Sequence, residues 1–214
     1  MAGRTSERGA FLSVVLAFLV APCGSACAQD RMPPIPADRM TDAQKKAVAE
    51  FVAARNTEIS GPFVPLLRSP EVMSRARALS DYLRFKSILP PRLSEFVILI
   101  TARYWTQQYE WNAHHPIAIT AGLNAKILSA VADGRRPERM AQDEEVVYDF
   151  CVELQRNQSV SDATYNRMVA TVGEQGIIDT VGIVGYYSLI GMVLNTARTP
   201  LPPGATPALS PLPR

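Results

Sequence analysis

Pro90-Pro91-Arg92-Leu93-Ser94-Glu95-Phe96-Val97-Ile98-Leu99-Ile100-Thr101-Ala102-Arg103 is the stretch whose reading decides the fold. Proline lacks the amide donor that a helix interior needs but costs nothing in the first turn, so the pair ends one segment and opens the next. Beyond it, Leu93, Phe96, Val97, Leu99 and Ile100 are spread around most of a helical circumference. A helix apolar nearly all round belongs in the middle of a domain, which predicts a central helix from Arg92 to about Gln107.

Working outward from that helix, the same kinds of signal recur. Thr41 with Gln44 is a capping box that starts a helix running to about Asn56, with Ala47, Val48, Phe51 and Val52 on one stripe. Ser69-Pro70 opens another, in which Val72, Met73, Ala76, Leu79, Leu83 and Phe85 carry the pattern to about Lys86. Downstream, a helix over 109–121 is closed by Gly122, and Asn124 caps a short one ending near Gly134. Asp143 to Arg156 is amphipathic, and Ser161-Asp162 caps its successor. Alternation with period two is nearly absent, so a sheet has little to be built from. The expectation is one all-α domain of about seven helices over 41–198.

The last of these helices, roughly Glu174 to Ala197, carries Ile177, Ile178, Val181, Ile183, Val184, Leu189, Ile190, Val193 and Leu194. A membrane span is one reading of it. Asp179, Asn195 and the interior glycines favour a helix buried in the core or at an oligomer interface. Gly182, Gly185 and Ser188 recur every three residues and would let another helix approach closely.

Both ends differ from this body. Arg4 and Arg8 precede an apolar run from Ala10 to Ala21 and then Ala26-Cys27-Ala28, the pattern of a cleavable secretory signal cut after Ala28. The protein is therefore expected outside the cytoplasm, periplasmic or secreted. Residues 29–40 contain Pro33, Pro34 and Pro36, and 199–214 contain six prolines, marking a linker and a C-terminal tail. Removing Arg4, Arg8 and Glu7 takes the balance from 22 basic against 20 acidic residues to 20 against 19. A nearly neutral chain with dispersed charge argues against nucleic acid as a partner, and cleavage of the signal leaves no membrane anchor. Cys151 alone survives the cut, in an apolar helical segment, so no intramolecular disulfide forms and the thiol reads as a small buried hydrophobe.

Candidate chemistry is concentrated between Arg103 and Pro116. His114 and His115 are the two histidines of the chain, and Glu110 stands four residues before His114, with Gln107 three before Glu110. On a helix these three share a face, while His115 points about a quarter-turn away. A carboxylate beside an imidazole orients the ring, stabilises its protonated form and moves its pKa toward working pH, as a general acid or base requires. Trp105, Tyr109 and Trp111, with no Lys or Arg between Arg103 and Lys126, predict an apolar surrounding. Pro116 leaves the Asn112 carbonyl without its helical donor, which predicts a kink or restart just past His114. His114, His115 and Glu110 are also conceivable metal ligands. Adjacent histidines diverge on a helix and no third exists, so no metal is expected. Gly-rich phosphate loops, serine nucleophile elbows and Cys-x-x-Cys pairs are absent.

Leu93-Ser-Glu95-Phe-Val-Ile-Leu99-Ile-Thr-Ala-Arg103, Tyr109-Glu110-Trp111-Asn-Ala-His114 and Ala121-Gly122-Leu123 together resemble the carboxymuconolactone decarboxylase family, which includes the alkylhydroperoxidase D-like proteins. Gly134-Arg135-Arg136-Pro137, Tyr148-Asp149-Phe150, Gly185-Tyr186-Tyr187 and Leu194-Asn195 extend the resemblance over roughly 60–204. It implies an orthogonal bundle of the alkylhydroperoxidase D-like type, assembled as a trimer or hexamer. In the peroxidase branch a Glu and a His flank a Cys-x-x-Cys pair. Here Glu95 and His114 stand at the matching ends, but Gln107 and Glu110 replace the cysteines, which removes the attacking and resolving sulfurs of a dithiol peroxidase.

The Tyr-Glu-Trp-x-x-His form resembles instead the decarboxylase branch, which implies a cofactor-independent lyase acting on a small carboxylated or lactone-type compound. In that reading His114 delivers a proton, Glu110 holds and polarises it, and Glu95 faces them from the preceding helix. Arg103 would pair with the substrate carboxylate or with Glu110, and Gln107, Tyr109, Trp111 and His115 are the remaining candidate substrate contacts. The alternative is an exported helical protein that binds or supports without turnover, and alkylhydroperoxidase activity is a third possibility.

Overall fold

Thr41 Oγ1 accepts the Gln44 amide while Gln44 Oε1 accepts the Thr41 amide, closing the box that starts α1 (Asp42–Arg55). In the computed structural model, which describes residues 29–211, every element from there on is helical. They are a short turn α2 (Phe63–Leu66), α3 (Pro70–Phe85), α4 (Pro91–Tyr104), α5 (Gln108–Thr120), α6 (Ala125–Ala132), α7 (Gln142–Asn157) and α8 (Asp162–Ala197). The signal segment inferred for 1–28 lies outside the described residues. Among the described residues the all-α expectation holds, with eight helices instead of about seven, the single turn α2 being the addition.

The opening stretch is the centre of the molecule. Every residue of α4 from Leu93 to Arg103 is buried, and α5, α6, α7, α8 and α3 all pack against it. Asn124 Oδ1 caps α6 by accepting the Lys126 amide, and Gly122, at φ +101°, ends α5 in the left-handed region that a side chain resists. α8 breaks at Gly173, where φ is +71°, into the two segments expected from Ser161-Asp162 and from Glu174. By length and composition α8 could cross a bilayer, but 56% of its most apolar window is buried inside the protein. Asp179, the charge that spoke against a span, accepts hydrogen bonds from the Tyr82 hydroxyl and the Ile88 amide and so ties the end of α3 to α8.

Two local expectations need correction. α5 runs through Pro116 to Thr120; the proline sits on the exposed side, and loss of one donor there does not end the helix. Val72, Leu79 and Phe85, counted as core from their spacing, are exposed on α3, whose packed face is Met73, Ala76, Ser80 and Leu83. Of the small-residue strip, Gly182 lets α3 approach closely as its spacing predicts, since a β-carbon there would stand 2.9 Å from Leu83 Cδ2, whereas Gly185 is open.

Among the described residues the proline-rich tail carries no helix, as its missing donors dictate, yet it is held in place. Gln108, the first residue of α5, accepts the Ala208 and Leu209 amides on Oε1 and donates from Nε2 to the Leu209 carbonyl, and the Leu209 side chain is buried.

Candidate active site

α4 supplies Glu95, α5 supplies Glu110 and His114, and α8 supplies Tyr186 and Tyr187. The imidazole of His114 is 5% exposed and engaged on both sides. Nδ1 lies 2.7 Å from Glu95 Oε2, and Nε2 lies 3.2 Å from the Tyr187 hydroxyl and 3.5 Å from Glu110 Oε2. Tyr187 also stacks its ring edge-on against His114, 5.1 Å between centroids.

Burial by itself would push the His114 pKa down. Hydrogen bonding to Glu110 and Glu95, and the charge of both carboxylates, outweigh it, so the pKa is raised and the imidazolium is favoured. The Tyr187 phenol is driven the other way from ionisation: full burial and then the Glu110 charge hold its pKa well above the ordinary value, so it stays a hydroxyl donor. Tyr186 is pushed up to about 12, chiefly by burial.

Glu110, His114, Tyr109, Tyr186 and Tyr187 border a cavity of about 210 Å³, lined also by Phe51, Phe63, Ile190, the 57–62 loop, Arg55 and Arg84. The loop is fitted to the ring of Tyr109: Gly61 has φ +55°, and a β-carbon there would fall 2.7 Å from Tyr109 Cε1. Glu95 does not reach the cavity wall and acts from behind the imidazole.

The structure thus brings together Glu95, Glu110, His114 and Tyr109 and sets the other candidates apart. Gln107 is the N-cap of α5 and not part of the helix; its Oε1 accepts the Tyr109 amide at 2.6 Å and its Nε2 donates to Asn195, away from the cavity. Arg103 pairs neither with Glu110 nor with the cavity. It donates from Nη2 to the Ser210 carbonyl of the tail, because the turn at Trp105–Gln107 separates its helix face from that of Glu110. Trp111 is buried against His115, 6.0 Å between ring centroids, and neither lines the cavity. Trp105 packs over Gly191.

Tyr187, Tyr186, Arg55 and Arg84 were not read as site residues from the sequence. The Gly185-Tyr186-Tyr187 match was the one signal that pointed at the tyrosines. The arginines come from α1 and α3, so the expected absence of basic side chains around the site is corrected by contacts distant in sequence. Cys151 lies apart from this cavity, fully buried, and burial drives its thiol far above the ordinary range.

Neither a family model nor a curated protein sequence matches this chain. Among solved structures, it is similar to the alkylhydroperoxidase AhpD core described as an uncharacterized peroxidase-related protein from Ralstonia eutropha JMP134. The TM-score is 0.63 at 16% identity, over 78% of this chain and 88% of that one. The likeness shows the fold: an all-helical domain of the alkylhydroperoxidase D-like type.

Proposed function

We propose that this protein is a cofactor-independent lyase of the decarboxylase kind, using His114 as general acid on a small carboxylated or lactone-type compound. The observation that carries the reading is a buried imidazole held between two carboxylates, with Nε2 directed to the side where Glu110 and Tyr187 border a cavity. Glu95 fixes the ring and favours its protonated form. As the bond from the substrate to its carboxylate breaks, the electron pair passes into the conjugated acceptor, CO2 leaves, and the carbon takes the proton from Nε2. Glu110 and the Tyr187 hydroxyl stand within reach of Nε2 to return a proton from solvent, so the balance is one carboxylate lost as CO2 and one proton gained at carbon.

A dithiol peroxidase reading has no support from the thiols, since the remaining cysteine is remote and inert. Export through the 1–28 segment belongs to the same proposal, as does self-association through the exposed apolar surface of α3 and α8, where Phe85 is 66% and Ile178 68% exposed. The test is a screen of small lactones and carboxylic acids for CO2 release, with His114→Ala in parallel. Release by the wild type and a loss of ~10²-fold or more in the variant fits the proton-donor role. Equal rates in both would remove His114 from the mechanism, and no release from either would favour a binding protein.

A further inference from the structure

Cations crowd one edge of the His114 cavity, although the chain as a whole is nearly neutral. Arg55 on α1 and Arg77 on α3 share a single acid, Asp81, and Arg55 and Arg84 line the cavity itself. Both oxygens of that acid are taken: Arg55 Nη2 is 2.8 Å from Oδ1 and Arg77 Nη1 is 2.6 Å from Oδ2. Arg84 has no carboxylate within ion-pair distance among the described residues, and its Nε is buried without an acceptor. Its guanidinium rests over the ring of Phe85, 5.1 Å from the centroid.

Arg84 also stands at a threshold. Together with Arg55 and Thr57 it borders both the inner cavity and a wider outer depression that includes Lys86. Arg55, Arg84 and Lys86, with Asp81 paired to arginines, therefore line the depression that adjoins the cavity of the imidazole.

We infer that the ligand of this cavity is a small organic anion and that Arg84 is the residue that holds its carboxylate. This rests on the acid–base reading for the identity of the reacting end, but the anchoring itself does not. With His114 protonated, the Glu95–His114–Glu110 cluster carries one net negative charge, which repels an anion unless a cation on the same cavity offsets it. Arg84 is the cation on that cavity with no carboxylate partner among the described residues, whereas Arg55 shares Asp81 with Arg77. A cationic ligand would be repelled at the mouth, and a neutral one would leave a partly buried guanidinium without a counterion. The planar donors of arginine suit a carboxylate better than a point charge would, so Arg84→Lys should keep only part of the affinity.

The probes are benzoate and its neutral isostere benzamide, titrated into the full chain by calorimetry and followed by ligand-observed NMR. Benzoate is expected to bind about tenfold or more tightly than benzamide, and to weaken as salt is raised to ~0.5 M because steering at an open mouth is screened. Arg84→Gln should abolish the preference, Arg84→Lys should retain part of it, and the exposed control Arg135→Gln should leave it unchanged. Circular dichroism melts confirm that each variant is folded, and Arg84→Lys keeps the test valid if Arg84→Gln is not. Undiminished benzoate binding in folded Arg84→Gln, equal binding of the two probes, or no benzoate binding to the wild type would each overturn the inference. His114→Asn should still bind benzoate. Binding by it and by the wild type, with no turnover of any lactone, would sink the lyase reading and leave the anion anchor standing.

Discussion

His114 Nδ1 and Glu95 Oε2 lie 2.7 Å apart although the residues are 19 positions distant in the chain and belong to different helices. The contact fixes which nitrogen faces the core and leaves Nε2 for the side of Glu110 and Tyr187. Glu95→Gln should therefore lower the His114 pKa by removing a charge that favours the imidazolium. The folded-state pKa is raised, so the stabilisation from this pairing is complete below the unfolded value near 6.5 and is lost as pH climbs through the folded pKa. Any activity that needs protonated His114 falls off along the same limb. In Glu95→Gln that limb should move to lower pH, visible in the pH–rate profile and in the NMR titration of His114. An unmoved limb would mean that Glu95 does not control the ring.

Tyr187→Phe removes the hydroxyl 3.2 Å from His114 Nε2 while keeping the ring that packs edge-on against the imidazole. Stability should drop by only about 1 kcal/mol, the usual net worth of one hydrogen bond. Turnover on whatever substrate the CO2 screen yields should drop tenfold or more if the hydroxyl serves proton return. A variant that melts like the wild type and turns over like it would assign Tyr187 to packing alone.

Helices were legible because their signals are local: capping boxes, proline at first turns, glycine past the ends and the apolar circumference of α4. The Glu110–His114 pair was legible for the same reason, being one turn apart on α5. What the sequence hid depends on chain reversal. Thr106, at φ +47°, and Gln107 make the turn between α4 and α5, so the helical spacing that puts Gln107 on one face with Glu110 and His114 does not extend past the N-cap, and Gln107 turns to Asn195 instead. Tyr187, 73 residues from His114, and Arg84, on α3, reach the cavity only through packing that no local pattern encodes. The exposed Leu79 and Phe85 have the spacing of core residues, because spacing records a shared face and not what covers it.

Cys151 should be silent toward thiol reagents in the folded protein, since it is wholly buried and burial holds its thiol far from ionisation. Reaction with Ellman's reagent is expected only on unfolding, and Cys151→Ala should leave turnover unchanged. Rapid labelling under native conditions, or loss of peroxide consumption in Cys151→Ala, would revive a thiol-based activity.

Gly61→Ala tests how the loop shapes the cavity. The residue has φ +55°, and the new methyl would meet the Tyr109 ring at 2.7 Å, so both backbone strain and a clash are introduced together. Strain at such a position costs about 1–3 kcal/mol, and the Tyr109 ring must swing away or the 57–62 loop must lift. Urea unfolding should show the loss directly. The more telling readout is substrate-dependent: a displaced Tyr109 changes one wall of the cavity while Glu95, His114 and Tyr187 stay in place, so KM for a ring-sized substrate should rise more than kcat falls. A fall in kcat with KM unchanged would show instead that the loop positions the reacting group, and that Tyr109 is not a wall of the binding site.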